Sequence, residues 1–426
     1  MVDLVIRPTI GAGNKIIIQD QAGQPVLTTA DSGGVLTNVT GTSSVPGIET
    51  SADATAMTIG ADESVTFSGD LVPSTPLSHR NMIINGAMQI SQRTTSEISV
   101  NSSRFSACDR FKVINNMVHM TVSQASDGPI GFSKSMKWQI TTAQASPASS
   151  DYLSVRYQIE GRDLQHLKKG TVGAESITIS FWVKSYQTGT YQFNILDLDN
   201  TRMISTLVTI NSSFTWEYKT YTFAGDAIGM LTDDNGSSLL LEWFLDSGSA
   251  HSGGVVPTSW EAKDDADRRV AGNISFGNSA NNYFQLTGVQ LELGSNATPF
   301  EHRTFQDDLL ACQRYYYVIG SHRNYIAGRT SNADAMYCAP SCPVPMRTTP
   351  TVGNLGAWNL DCINTGGAVS LNNQPTIDAY ATGGIYDIIG VGNIVGNMHL
   401  SGGSGLTDAR VCCVRVNGGL TFDAEL

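Results

Sequence analysis

The chain has 426 residues, of which 41% are hydrophobic and only 15% are charged, and its formal net charge is −12. This length is enough for two to four domains. The charged fraction lies well below the roughly 25% of an average domain, and 42 glycines accompany it. Such a composition favours short strands joined by turns over a helical enzyme. The negative charge argues against nucleic-acid binding, which needs clustered lysine and arginine.

Hydropathy indicates a protein that does not enter a membrane. The sequence has no run of about 18 apolar residues, the length that a transmembrane helix needs. The first residues, MVDLVIRPTIGAG, lack the apolar centre of a signal peptide. We therefore expect no membrane insertion and assembly in a cytoplasm, from which the protein would leave only by lysis.

Residues 1–79 carry two hairpin patterns, in residues 14–29 and 54–71, separated by small polar residues. The Pro- and Ser-rich stretch 72–78 closes this segment. A two-stranded hairpin is marginally stable by itself, so two of them on a polar string cannot form a core. We expect them to need partner chains, and three-fold association is the natural solution. A disordered leader is the alternative.

Residues 80–303 carry the strongest strand signal. In ITISFWVKS, residues 177–185, apolar and polar side chains alternate, so that Phe181 and Val183 point inward while Trp182 and Lys184 point outward. Similar alternation recurs in residues 188–202, 214–226, 238–249 and 281–295. Strands at this spacing, with turns of Gly, Asn and Asp between them, predict a β-sandwich of the jelly-roll kind.

A short helix is predicted at residues 304–317. Thr304 is a suitable N-cap, and Asp307 follows it three residues later, a variant of the capping box. Four residues share the spacing of one helical face: Phe305, Leu309, Cys312 and Tyr316. A helix of about three turns is not stable alone, so this stripe must pack against something.

Residues 318–426 return to a strand pattern, and we expect a small C-terminal β domain. The closing stretch 408–426 predicts a hairpin around the turn Asn417-Gly418-Gly419. Seven cysteines are too few for a disulfide framework and indicate reduced, buried thiols. A zinc site drawn from Cys338, Cys342, Cys412 and Cys413 has unusual spacing and no neighbouring His, so we expect no metal and no cofactor.

Several blocks of the sequence resemble one family. They are RNMIINGAMQISQR (80–93), CDRFKV (108–113), YQIEGRDLQHLKKGT (157–171), residues 177–202, residues 282–317 and the closing FDAEL (422–426). Together they resemble phage tail-fibre and receptor-binding virion proteins, whose middle domain is similar to the jelly rolls of carbohydrate-binding modules. The first blocks span residues 80–317, which makes the resemblance specific.

The resemblance implies a mainly β, intertwined homotrimer in the virion, assembled in the host cytoplasm. Residues 1–79 would attach to a phage tail component, and the C-terminal half would contact a glycan or another receptor on the host envelope. A non-receptor adaptor of the tail is the alternative. In such a trimer the helix would meet its copies near the axis, with Phe305, Leu309, Cys312 and Tyr316 in the interface. It could equally close one end of its own sandwich.

Sugar-binding sandwiches present aromatic rings to the apolar faces of pyranoses, which makes Trp182 the first candidate and Trp216 and Tyr218 the next. The alternative is that these rings form core between chains. The cation common in such sandwiches could lie at the DLDN or DDNG turn. A glycan depolymerase would need two carboxylates about 5–10 Å apart. The Asp pairs here fall in loops or at the helix start, so we expect no enzyme.

Overall fold

A computed structural model describes residues 78–320 without a gap, residues 341–348, 350–354 and 419–426, and elsewhere Ala22 and the short strands given below. Contacts group residues Met1–Ser74 into one unit and Thr75–Leu426 into a second. Several antiparallel sheets make the described chain mainly β, as the sequence predicts. None of its described helices is long and apolar enough to cross a membrane.

The first unit contains two small sheets. Its strands are β1 Ile17–Gln19, β2 Pro25–Ala30, β3 Gly33–Val35, β4 Met57–Ile59 and β5 Val65–Phe67. Strand β2 pairs antiparallel with β1 and with β3, and β4 pairs antiparallel with β5. Both predicted hairpins are therefore confirmed, and apart from these strands and Ala22, residues 1–77 lie outside the described residues.

The second unit is built on a β-sandwich. Its strands are β6 Ser96–Val100, β7 Arg104–Phe105, β8 Lys112–Asn115, β9 His119–Ala125, β10 Ser135–Thr142, β11 Tyr152–Glu160, β12 Ile177–Ser185, β13 Gly189–Asp197, β14 Arg202–Ile210, β15 Glu217–Phe223, β16 Ser237–Ser247, β17 Glu261–Ala262 and β18 Tyr283–Leu293. Short 3-10 helices lie at Gly161–Leu167, Ser249–His251, Ala266–Arg268 and Phe276–Asn278.

These strands form two facing antiparallel sheets in the predicted jelly-roll arrangement. The front sheet has the order β15-β12-β18-β10-β9-β6, and the back sheet has the order β17-β14-β13-β16-β11-β8-β7. Their inner faces share one core, in which Phe181 of the front sheet meets Trp243 of the back sheet at 5.6 Å between ring centroids. Phe181 and Val183, predicted to point inward, are buried in this core together with Ile177 and Ile179 of the same strand.

The segment 80–93 closes one end of the sandwich, and the hydrogen bonds and close packing there explain why asparagine and glycine occupy positions 81, 85 and 86. The Asn81 amide donates to Val289 O at 3.1 Å and accepts from Leu291 N at 3.1 Å, so it completes the edge of β18. Gly86 packs so closely that a Cβ there would lie 2.2 Å from Val289 O. Asn85 donates to Ile90 O at 2.9 Å, and this bond closes the segment on itself.

One α-helix lies in the described chain, α1 Phe305–Gln313. Thr304 caps it, as predicted, by accepting a hydrogen bond from Asp307 N at 3.1 Å. The predicted extension of this helix to residue 317 is wrong, since the helix ends at Gln313 and Tyr316 begins a strand. Phe305 is 61% exposed, whereas Cys312 and Tyr316 are buried within the chain itself and Leu309 is half-buried.

The remaining strands follow the helix. They are β19 Tyr316–Ile319, β20 Asn324–Thr330, β21 Met336–Cys338, β22 Ser341–Cys342, β23 Thr351–Asn354, β24 Trp358–Cys362, β25 Val369–Ser370, β26 Ile377–Asp378, β27 Ile394–Val395, β28 Met398–Leu400, β29 Val411–Val416 and β30 Leu420–Asp423. The predicted closing hairpin is wrong. Strand β29 pairs with β20 and β24, while β30 pairs with β19 and β23 in another sheet.

Two arginines of the second unit, the buried Arg110 and the partly buried Arg93, hold residues 423–425. Arg110 lies over the Tyr315 ring at 3.3 Å and forms an ion pair with Glu425. Arg93 lies over the Tyr316 ring at 3.6 Å and pairs with Asp423 at 3.2 Å. Tyr315 and the closing FDAEL therefore contact the block CDRFKV, and Tyr316 contacts the end of the block 80–93. These resembling blocks form one structural contact within the chain.

Candidate functional site

The outward side chains of the front sheet form an ordered array, which we call the front face: Tyr218, Trp182, Thr287, Lys184, Gln285 and Lys137. The strand register fixes this array. Trp182 on β12 stands between Tyr218 on β15 and Thr287 on β18. One row further along, Gln285 stands between Lys184 on β12 and Lys137 on β10. The front face thus places aromatic rings beside polar groups.

Two rings make an aromatic platform on this face. The ring centroids of Trp182 and Tyr218 lie 5.3 Å apart with an interplanar angle of 47°. Tyr218 is 44% exposed and Trp182 is half-buried. Gly288 has φ of +61° in a β-bulge, and a Cβ there would lie 3.0 Å from Trp182 Cδ1 and 2.8 Å from Phe132 Cζ. Glycine therefore lets both rings lie against the sheet.

A polar cluster adjoins the platform. Asp127, in the loop between β9 and β10, accepts from Lys184 Nζ at 2.5 Å, from Trp216 Nε1 at 3.3 Å and from Gln285 Nε2 at 3.3 Å. Partial burial opposes ionisation of Asp127, but the hydrogen bonds from Lys184 and Trp216 outweigh it and lower the pKa of Asp127. The carboxylate is therefore ionised at neutral pH and fixes the Trp216 ring.

A second aromatic cluster and a groove continue from Phe132. The rings of Phe132, Phe300 and His302 lie 4.8 to 5.2 Å apart between centroids. A groove of about 530 Å³ lies beside them, lined by Ala87, Gln89, Gly131, Phe132, Ser133, His302, Arg303, Phe305 and Asp308. Glu301 does not line this groove. Its carboxylate accepts hydrogen bonds from His79 N at 2.6 Å and from Asn81 N at 2.9 Å.

The outer face of the back sheet is closed by its own chain. Glu242 is fully buried there beneath Arg268, whose Nη2 donates to its carboxylate at 2.7 Å. Asn194 donates to Arg268 O at 3.1 Å, and Gln192 donates to Asp267 O at 2.6 Å. The charged stretch 260–269 thus covers the back sheet, which leaves the front face as the candidate site.

A buried ammonium fills the cage at the DLDN turn that the sequence offers as a cation site. Lys169 Nζ forms an ion pair with Asp197 and lies 3.0 Å from Asp226 Oδ2. It also donates to Ile228 O and Gly229 O, each at 3.0 Å. Two carboxylates and two carbonyls therefore surround a charge that the chain itself supplies.

The structure brings the three sequence-predicted ligand residues together. Trp182 and Tyr218 are ring neighbours, and Trp216 lies one row along the same face, beside Lys184. Sequence reasoning missed Asp127 and Lys137. Alternation in SMKWQITT, residues 135–142, could have placed Lys137 outward, whereas no local pattern reveals that the loop carrying Asp127 folds over β12 and β18.

Comparisons with known proteins find likenesses of fold at low sequence identity. One is to the enzymatically active domain of tailspike protein 4 of bacteriophage CBA120, at 12% identity and a TM-score of 0.26, covering 50% of this chain and 21% of that chain. Another is to TmCBM61 in complex with β-1,4-galactotriose, at 9% identity and a TM-score of 0.25, covering 50% of this chain and 99% of that chain.

A third likeness is to the family 11 carbohydrate-binding module of cellulase Lic26A-Cel5E of Clostridium thermocellum, at 9% identity and a TM-score of 0.24. It covers 49% of this chain and 100% of that chain. No protein-family model matches the chain, and no curated protein matches it. The assignment of a β-sandwich rests on the strand pairing described above.

Proposed function

We propose that the chain is a structural protein of a phage tail fibre, and that it binds a host-surface glycan through the front face. The observation that carries the binding role is the pair of partly exposed rings, Trp182 and Tyr218, beside the cluster of Asp127, Lys184 and Gln285. Residues 1–79 attach to a tail component, and the virion is the site of action. Three copies of the chain assemble around one axis.

The chemistry of the front face suits a sugar. The C–H face of a pyranose packs on an aromatic ring, while its hydroxyl groups need donors and acceptors around the rim. Trp182 and Tyr218 supply the rings, and Asp127 and Lys184 supply the polar groups, while the buried Gln285 holds Asp127 in place. A single contact of this kind is weak, but three copies raise the effective concentration and hence the avidity for a cell surface. The role is binding, without catalysis.

The test is binding of the full chain to an array of bacterial O-antigens and capsular polysaccharides. We expect retention of at least one polysaccharide, and about tenfold weaker binding, the effect of about 1.4 kcal/mol, for Trp182→Ala and for Tyr218→Ala. Leu207→Ala is the matched control, because Leu207 is 39% exposed and belongs to the back sheet. Its affinity should equal that of the wild type.

Two results would overturn the proposal. Absence of binding to every polysaccharide and to intact bacteria favours the adaptor role. Equal losses in Trp182→Ala and Leu207→Ala would indicate that the rings act only through folding. Thermal unfolding of each variant separates that case, since a folded variant keeps the cooperative transition of the wild type.

A further inference from the structure

We infer that the glycan bound at the front face is acidic, and that Lys137 contacts its anionic group. This inference rests on the proposed function and names the substrate class. It starts from an imbalance of charge on the front face. Two lysines, Lys137 on β10 and Lys184 on β12, project from the two strands that flank β18, on either side of Gln285. One carboxylate, Asp127, approaches this part of the face in the described chain, and it is already bound to Lys184.

Lys137 is held in place without a counter-ion. Its ammonium lies 4.5 Å from the centroid of the Tyr283 ring, and it forms no ion pair with a carboxylate of the described residues. The side chain is half-buried, and Tyr283 in turn packs against Tyr186 and Phe214. Burial and the neighbouring charge of Lys184 lower the pKa of Lys137, and the charge of Asp127 only partly opposes them. A bound anion would offset both effects, because its negative charge stabilises the protonated ammonium of Lys137.

A second lysine near the same face also lacks an acidic partner. Lys134 Nζ donates to Ser126 Oγ at 2.8 Å, and it forms no ion pair with a described carboxylate. The Lys134 carbonyl accepts from Thr287 Oγ1 at 2.7 Å, which ties the residue to the row that contains Trp182. The whole chain has a net charge of −12, so a surplus of cations here is a local feature.

The geometry suits a carboxylate or a phosphate on a sugar that stacks on the platform. A charge-assisted hydrogen bond is roughly twice as strong as a neutral one, so a half-buried ammonium distinguishes an acidic glycan from a neutral one. Lys184 cannot do this alone, because Asp127 neutralises it at 2.5 Å. Lys137 is therefore the residue that confers specificity for charge, and the rings confer affinity for the pyranose.

The experiment begins with the polysaccharides that the full chain retains on an array of acidic capsular polysaccharides, phosphate-bearing core oligosaccharides and neutral O-antigens. Each is tested again after carbodiimide and borohydride reduction of its carboxylates, and separately after removal of its phosphates. We expect the retained glycans to be acidic and to lose about tenfold in affinity on removal of one of these groups. The arm that loses affinity identifies the anion as carboxylate or phosphate.

The matched variants are Lys137→Gln and Lys168→Gln, which change the net charge equally. The Lys168 side chain is 59% exposed and pairs with Glu175, and neither residue belongs to the front face. Lys137→Gln should weaken binding of the acidic glycan about tenfold and reduce its dependence on salt, whereas Lys168→Gln should bind as the wild type does.

The outcomes separate this inference from the proposed function. Binding that needs Trp182 but is unchanged by loss of the anionic groups and by Lys137→Gln overturns the acidic class and leaves the glycan-binding role standing. Retention of neutral O-antigens alone would also overturn the acidic class and leave the glycan-binding role standing. Absence of binding to the entire array overturns both.

Discussion

Glu242 shows how a single buried charge can be stable in a sandwich of this kind. Its carboxylate accepts from Arg156 Nε at 2.7 Å, from Arg268 Nη2 at 2.7 Å and from Ser154 Oγ at 2.9 Å. Burial opposes ionisation, but the charges of Arg268 and Arg156 outweigh it and lower the pKa of Glu242 from 4.5 to about 2. The carboxylate and the two arginines therefore stabilise one another, because each would otherwise be a largely buried charge without a buried partner of opposite sign.

The shift of Glu242 predicts a pH-dependent term in stability. Because the folded pKa lies below the unfolded value of 4.5, the stabilisation is complete above about pH 4.5 and is lost as the pH falls towards 2. Glu242→Gln should cost about 3–5 kcal/mol at pH 7, since it leaves Arg268 buried with only the partly exposed Asp265 as a counter-ion. Urea unfolding followed by tryptophan fluorescence measures both proteins between pH 2 and 7.

The control for this prediction is the pH profile itself. The difference in free energy of unfolding between wild type and Glu242→Gln should narrow as the pH falls below about 4.5, because the ionised carboxylate then stabilises the wild type less. A difference that stays constant across this range would mean that Glu242 acts through packing alone. Lys263→Gln, which alters a partly exposed pair with Asp265 at 2.7 Å, should change stability by less than about 1 kcal/mol.

Lys169 offers a second test at the scale of one residue. The oxygens around its ammonium are two carboxylates and two carbonyls, a donor set that calcium prefers. Lys169→Met should destabilise the sandwich, because Asp197 and Asp226 then repel each other without a cation between them. Millimolar Ca²⁺ should restore part of the lost melting temperature in the variant and leave the wild type unchanged. A variant indifferent to Ca²⁺ would show that the cage fits an ammonium only.

At the scale of elements, regular alternation in the sequence was sufficient to predict strand β12 and its two faces. The same alternation placed Trp182 outward, and the register adds that Tyr218 of the neighbouring strand lies directly beside it. Alternation works here because one side of the sheet packs on a core and the other does not. The helix was predicted for a similar reason, since Thr304 and Asp307 make a local cap.

Elements whose partners are distant in sequence could not be predicted in this way. Asn417-Gly418-Gly419 has the chemistry of a tight turn, yet β29 and β30 pair with strands about 50 to 110 residues away. The helix was predicted four residues too long because the tyrosines fit its periodicity. Tyr315 and Tyr316 instead stack against Arg110 and Arg93, contacts that lie more than 200 residues back in the sequence.

At the scale of the whole molecule, the two units differ in how much they can bury. The described part of the first unit consists of a three-stranded and a two-stranded sheet with strands of three to six residues. The second unit contains a sandwich with a core that includes Trp138, Trp243 and Phe181. A unit of small sheets needs partner surfaces for stability, whereas the sandwich can be stable in a single chain.

This contrast leads to a prediction about the assembled protein. We expect light scattering of the full chain to give a mass about three times that of one chain, because three-fold association supplies the first unit with a shared core. The measurement should be repeated after dilution, since an assembly held by the first unit keeps its mass only while those sheets are associated. A folded monomer with a protease-resistant segment 1–74 would contradict the prediction. Removal of residues 1–74, which leaves the compact second unit, should then lower the mass per particle and the avidity for a cell surface, while each front face keeps its own affinity for the glycan.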